Sequence, residues 1–373
     1  MNDLNYWLAL LRAPKIGPAS FHKLLHHYKT PKALFECSAS QIAALPLQTP
    51  TRHYLAQPDW HAVERDLSWN TQDNHHIITL QDPFYPELLK EIPGGGPPVL
   101  FVHGDITLLS RSQIAIVGSR NPTHQGREIA YAFAQNLCSA NYAITSGLAI
   151  GIDAAAHRGA LSCHGTTLAV AATGLDQVYP KRHYQLAQQI IEQSGAIISE
   201  FPLGTSPQRS HFPRRNRLIS GLSQGTLVVE AAIRSGSLIT ARFAADQGRE
   251  VFAIPGAITN PLSRGCHNLI KEGAKLTETA DDIMEELGST LIFSAPTPSW
   301  MNDNETIERT LNKKDCAVWR SLGYDPALID TIIERSELTA QEVSSALMDL
   351  ELRGYITSSS GGLYARNALR GKK

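Results

Sequence analysis

From residue 113 onward the chain alternates two patterns with a regular beat. Short apolar runs at 114–117, 143–145, 167–171, 196–199, 226–229 and 251–254 are separated by amphipathic stretches such as 128–140. Each run is apolar throughout, not at every second residue, which is the pattern of parallel strands covered on both faces. The stretches between them have the length of a crossover helix. Together they predict a doubly wound α/β sheet.

Residues 77–80 and 99–102 read as two more strands of this region, joined across the turn-rich stretch Ile92-Pro93-Gly94-Gly95-Gly96-Pro97-Pro98. Ahead of them, residues 1–72 read as short helices. Leu4, Trp7, Leu8, Leu10 and Leu11 recur at helical spacing, Pro14-Lys15-Ile16-Gly17-Pro18 interrupts, and Phe21, Leu24 and Leu25 resume. An apolar-Gly turn between two short helices is the outline of a helix-hairpin-helix, whose turn amides can hold a phosphate. An ordinary turn in a helical bundle has the same outline. Residues 289–305, rich in Ser, Thr, Pro, Asn and Asp, read as a linker. Beyond it, helical patterns at 325–336 and 339–353 precede a hairpin at 355–365, so residues 306–373 are expected to form a winged helix.

At 373 residues the chain has room for two or three domains. No apolar run approaches the roughly 20 residues that span a bilayer, and Met1-Asn2-Asp3-Leu4 lacks a basic segment ahead of an apolar one. The five cysteines are scattered and never in Cys-x-x-Cys spacing, so neither a zinc site nor a disulfide framework is expected. A reducing cytoplasm is the simplest setting.

Ligands of an open parallel sheet bind beyond the carboxyl ends of its strands. The segments there are Gly118-Ser119-Arg120, Ser146-Gly147-Leu148-Ala149-Ile150-Gly151-Ile152-Asp153, Thr173-Gly174-Leu175-Asp176 with Lys181 and Arg182, Glu200 and the residues after it, and Ser235-Gly236-Ser237. Gly and Ser let the backbone turn and aim amides at an anion. Three windows carry bases and no acid: 106–127 with three arginines, 177–191 with Lys181 and Arg182, and 201–229 with four arginines. The chain as a whole balances 34 Lys and Arg against 35 Asp and Glu, so these windows are local concentrations of charge. The last contains Phe212-Pro213-Arg214-Arg215-Asn216-Arg217, guanidinium groups beside an aromatic ring, which suits a polyanion with exposed bases. A solvated loop whose arginines pair with distant carboxylates would look the same.

Other chemistries find less support. There is no Gly-x-Gly-x-x-Gly and no Gly-x-x-x-x-Gly-Lys-Ser/Thr, so no nucleotide cofactor is expected. Asp153 and His157 share a helical face, but a helix N-terminal Asp and a hydrogen-bonded His explain them without a metal. Glu200 and Glu230 end strands that are consecutive along the chain and are expected to orient arginines or cap a helix. Neither Ser146 nor Ser237 sits in a nucleophile elbow, so no catalytic residue is assigned.

Several of these motifs together resemble the DprA/Smf family of DNA-processing proteins. They are Gly118-Ser119-Arg120, Ser146-Gly147-Leu148-Ala149-x-Gly151-Ile152-Asp153 with His157, Phe212-Pro213-x-Arg215-Asn216-Arg217 through Ser223, Val229-Glu230-Ala231-Ala232, Ser235-Gly236-Ser237 through Arg242, and Gln247-Gly248-Arg249-Glu250-Val251-Phe252. The resemblance covers about residues 75–288. It implies an extended Rossmann-like core, a sterile-alpha-motif-like helical domain before it and a winged helix after it. It also implies a protein that binds single-stranded DNA, forms homodimers and loads the RecA recombinase during natural transformation, with no established catalytic activity. Carried across, Arg120, Lys181, Phe212, Arg215, Asn216 and Arg217 stand where the family's DNA pocket is lined, with Gly118, Ser119, Ser146, Gly147, Arg214, Ser235, Gly236 and Ser237 around them. Ala172 stands where the family often has Gly, and Ile150 where it often has a polar or basic residue. Both are expected to trim affinity without changing its class.

Two expectations qualify this. Residues 303–373 carry 11 acidic and 10 basic side chains, and the would-be recognition helix holds Glu342, Asp349 and Glu351 against Arg353. Such a helix would be repelled by duplex phosphates, so this unit is expected to contact protein. The alternative function is a phosphoribohydrolase-like nucleotide-processing enzyme. Gly225-Thr226 followed by Glu230 faintly resembles that group's loop, but a Gly is missing and the acid is displaced.

Overall fold

The computed structural model describes residues 3–288, 308, 310–323, 326–359 and 361–367. The stretch assigned to a linker, 289–305, lies outside them. The chain divides into two compact units, Met1–Leu291 and Ile292–Lys373.

In the first unit the eight expected strands and one unexpected short strand, β9, form one nine-stranded sheet. They are β1 (His75–Thr79), β2 (Val99–Gly104), β3 (Gln113–Val117), β4 (Ala143–Ser146), β5 (Thr167–Val170), β6 (Ala196–Ser199), β7 (Gly225–Val228), β8 (Glu250–Ala253) and β9 (Lys275–Leu276), in the order β1-β2-β6-β5-β4-β3-β7-β8-β9. The strands from β6 to β9 run parallel, and β1 and β2 add antiparallel at one edge. All residues of β3 to β7 are buried, as their unbroken apolar character requires. One face packs Leu100, Leu168, Ile198 and Leu218, and the other packs Ile114, Ile144, Phe133 and Phe252.

The chain builds β3 to β6 outward in one direction, then returns through the helix His211–Leu222 to lay β7 on the other side of β3. The strand order therefore reverses between β3 and β7. At such a point the loops after neighbouring strands part and leave a crevice.

Six short helices, Asp3–Arg12, Pro18–Tyr28, Pro31–Phe35, Ala39–Ala44, Thr49–Ala56 and Trp60–Asn70, precede the sheet. Thr30, Ser38 and Asp59 cap three of them with side-chain oxygens. Trp7, Leu8, Leu10 and Phe21 share one core with Ile77, Val99 and Phe101 of β1 and β2. Arg12 donates to buried Asp66 at 2.7 and 2.8 Å and to the Leu203 carbonyl at 3.2 Å, which ties these helices to the loop after β6.

The second unit is a winged helix. Helices Lys313–Leu322, Ile329–Ser336 and Ala340–Leu352 pack Val318, Trp319, Leu322, Ile332, Val343 and Leu347 together. A small sheet of Ala327–Leu328, Leu363–Arg366 and Ile356–Ser359 completes it. Arg366 lies over the Trp319 ring at 4.4 Å. On the third helix the acids are engaged locally: Glu342 closes a capping box with Thr339, and Asp349 pairs with Arg353 at 2.7 Å. Its outward positions include Met348 and Leu352, 67% and 79% exposed.

Candidate nucleic-acid interface

The crevice between β3 and β7 is a cleft of about 560 Å³. Gly118 begins one wall. A Cβ there would fall 2.7 Å from Ile152 Cγ1, so glycine is what lets the helix Ile152–Ser162 come this close. Ser119 N donates to the Glu230 carbonyl at 2.7 Å, and Ser119 Oγ accepts from Asn121 N at 3.1 Å. These bonds hold Arg120 at the mouth, exposed, with its guanidinium carbon 5.3 Å from the centre of the Phe212 ring. Phe212 in turn lies 5.7 Å from Tyr179. The opposite wall is Arg234, Ser235, Gly236 and Ser237 at the start of the helix Ser237–Asp246. Ser235 Oγ and Ser237 Oγ are 2.7 Å apart, and Asn216 Nδ2 donates to the Gly236 carbonyl at 3.4 Å.

Lys181 lies on a neighbouring turn, Lys181–His183, that follows β5. It is exposed, as are Arg120 and Arg234, and among the described residues none of the three is ion-paired.

The arginines of the cationic helix behave differently. Arg214 and Arg217 both pair with Glu200, at 3.0 and 2.5 Å, and that carboxylate is 1% exposed. Arg217 also donates to the Gly95 carbonyl at 3.3 Å. Arg215 is 3% exposed and donates Nη1 to the carbonyls of Val170, at 2.7 Å, and Gly147. It therefore clips the ends of β4 and β5 together. Burial pushes its guanidinium down to about 10, against the pull of Asp153. Burial pushes the Asp153 carboxyl up, while Arg215 and the amides of Gly147 and Ala149, at 3.1 and 3.3 Å, oppose that. Gly147 sits between the two charges: a Cβ on it would lie 2.6 Å from Arg215 Cζ and 2.7 Å from Asp153 Oδ2.

Three other candidates are also internal. Ser146 is fully buried and its hydroxyl donates to the Ile116 carbonyl at 2.6 Å. Glu230 accepts from Thr123 N and Oγ1 at 2.9 and 2.6 Å and so braces the residue that caps the helix His124–Ser139. His157 Nδ1 lies 2.7 Å from Thr167 Oγ1, and among the described residues no cluster of His, Cys, Asp and Glu could hold a metal ion. Arg111, counted in the first basic window, precedes β3 and stands at the opposite end of the sheet. Arg234 lies outside the three basic windows named from the sequence, although residues 231–245 hold it and Arg242 without an acid, so the signal is present there.

Fold and cleft define an extended Rossmann-like protein with a cationic, aromatic-walled crevice at its switch point and a winged helix in a separate unit. A family model described as DNA recombination-mediator protein A matches residues 76–288, with the DprA winged helix domain at 304–362 and a DprA-like N-terminal HHH domain at 2–46. Protein Smf of Escherichia coli (strain K12) is 39% identical over 368 residues, covering 97% of this chain and 96% of the relative. DNA processing protein DprA of Streptococcus pneumoniae is 46% identical over 209 residues, covering 56% of this chain and 73% of the relative. The X-ray structure of DprA from Streptococcus pneumoniae superposes with a TM-score of 0.67 at 37% identity, covering 76% of this chain and 97% of that one. The Helicobacter pylori DprA structure, which concerns that protein's single-stranded DNA binding mode, gives 0.51 at 29% identity, covering 57% of this chain and 95% of that one. The chain belongs to the DprA/Smf family of DNA-processing proteins.

Proposed function

We propose that this protein binds single-stranded DNA across the cleft, through residues 73–288, as a binding protein and not as an enzyme. The observation that carries the reading is the set of unpaired cations Arg120, Lys181 and Arg234, which come from three different strand ends: Arg120 and Arg234 line the cleft with Phe212, and Lys181 lies two residues beyond Tyr179, whose ring meets that of Phe212. Phosphates take these three side chains and the amides around Ser119 and Gly236. A base stacks on Phe212. Asn216, Ser235 and Ser237 supply neutral hydrogen bonds. Arg214, Arg215, Arg217, Ser146 and Gly147 shape the wall and do not touch the strand. Phosphate contacts and stacking read little sequence, so preference should be slight.

We extend the reading to a cytoplasmic homodimer that hands the strand to the RecA recombinase during natural transformation. Family membership supports this part, and the single-strand-binding Helicobacter relative supports the ligand. Among the described residues no helix is long and apolar enough to cross a membrane. Ile258 and Leu276, the latter on edge strand β9, are 82% and 45% exposed, apolar surface that a second copy could cover.

A competition experiment tests the ligand class. A labelled oligonucleotide bound to the protein should be displaced by unlabelled single strand at least tenfold more effectively than by duplex of the same sequence. Equal displacement would show that the cleft does not require exposed bases.

A further inference from the structure

We infer that a second cavity, beside the cleft and behind Tyr179, receives one nucleobase of the bound strand. This rests on the single-strand reading above and adds a base-binding site to it.

The cavity is about 370 Å³, within the range of small-molecule sites. Its floor is apolar: Leu148, Ala171, Leu175 and Ile197. Two tyrosines stand at it, Tyr179 and Tyr184, 47% and 57% exposed. Aromatic rings that exposed, beside an apolar hollow, offer stacking surface. Gln177 and Gln188 also line it and carry amide groups suited to a base edge.

The cavity and the cleft are neighbours by construction. The loop after β4 separates them, with Leu148 in the cavity and Ala149 in the cleft. Leu148 has φ of +56°, a left-handed conformation that a side chain of this kind seldom adopts. Its carbonyl is held by His183 Nδ1 at 2.8 Å. At the other side Tyr179 lines the cavity and contacts Phe212, which lines the cleft. Lys181 and Arg182, both exposed, follow Tyr179 and are placed for the phosphate next to the inserted base. A phosphate itself would not enter. Asp176 and Glu192 line the cavity, and burial pushes another lining residue, His103, down to about 4, helped by nearby His75, so its imidazole carries no charge at neutral pH. Those carboxylates accept from an exocyclic amino group, so adenine, cytosine or guanine fits better than thymine.

The test pairs a protein change with a strand change. Tyr184→Ala removes an exposed ring and leaves the core intact. It should weaken binding of a mixed-sequence 12-mer roughly tenfold, in the range of a single base–aromatic stack, with no change in salt dependence. Tyr184→Phe should bind like the wild type. An abasic nucleotide stepped along the 12-mer should cost the wild type a similar factor at two positions, that of the base on Phe212 and that of the inserted base, and at the second of these alone Tyr184→Ala should lose nothing more. Unchanged affinity of Tyr184→Ala, or abasic and protein penalties that multiply, would overturn the inference while leaving strand binding in place. Displacement of the strand by free deoxyadenosine monophosphate as readily as by oligonucleotide would also overturn it, since the cavity would then serve a free nucleotide. Failure of the wild type to bind any single strand would remove both readings.

Discussion

Arg217 Nη2 lies 2.5 Å from Glu200 Oε2, and the carboxylate it meets is 1% exposed. The same carboxylate also holds Arg214. Two arginines of the most conspicuous charge cluster of the sequence thus share one carboxylate and are held in place by it, while Arg209 of the same window, like Arg120, Lys181 and Arg234 on other loops, is exposed and without an ion pair among the described residues.

Arg217→Ala should therefore act on stability before it acts on DNA. It leaves a buried carboxylate with Arg214 as its remaining partner. The expected cost is roughly 2–4 kcal/mol, somewhat below that of fully orphaning a buried charge. Arg120→Ala, at an exposed and unpaired site, should stay within about 0.5 kcal/mol of wild type. Denaturant unfolding of the two variants checks this, and equal stabilities would refute the assignment of roles.

Gly147→Ala should be poorly tolerated. The new Cβ would meet Arg215 and Asp153 on a site where the guanidinium is 3% exposed and bonded to two carbonyls, so it has no room to withdraw. Overpacking of this kind costs about 3 kcal/mol. A melting temperature within a degree or two of wild type would mean that the Arg215 clip is looser than described.

Stability should rise with pH across the weakly acid range. His157 is fully buried, and burial, with His183, Arg215 and Arg158 nearby, pushes its imidazole down to about 3. The unfolded chain takes up that proton near pH 6.5. Between about 6.5 and 3 the unfolded state therefore binds more protons than the folded one, and stability is lost as pH falls. The loss from this residue is about 2 kcal/mol between pH 7 and pH 5. Urea unfolding at the two pH values should show it, and His157→Gln should remove it. An identical pH dependence in the variant would place the effect elsewhere.

The winged helix should add little to strand binding. Its third helix shows Met348 and Leu352 to solvent, and its acids are engaged locally, Glu342 in a cap, Asp349 with Arg353 and Glu351 by Ser358. Deleting residues 303–373 should leave single-strand affinity within about twofold, measured by anisotropy. Loss of binding on deletion would reverse this view of the unit.

The sheet is legible because its strands are buried on both faces, which leaves an unbroken apolar signature. The antiparallel pairing of β1 and β2 is not, because direction is set by the connections and not by the strand residues. Strand β9 is two residues long and exposed, and carries no signature at all. Within the site, the burial of Arg215 has a signal in the sequence. It is spaced at i, i+3, i+4 and i+7 with Leu218, Ile219 and Leu222, the apolar stripe of its helix. The pairing of Arg214 and Arg217 with Glu200 is legible in kind but not in consequence. Glu200 is expected to orient arginines, yet nothing in a linear charge count says that a single acid 14 and 17 residues away is shared by two of them.

The central claim is that phosphates are met by Arg120, Lys181 and Arg234. A salt titration of single-strand affinity tests it most directly, comparing the wild type with the triple alanine variant and with Arg217→Ala. The account predicts that the log–log slope of the triple variant is shallower by about 2, near 0.7 for each phosphate no longer neutralised, while Arg217→Ala keeps the wild-type slope. A triple variant with the wild-type slope, or a slope that flattens in Arg217→Ala instead, would contradict it.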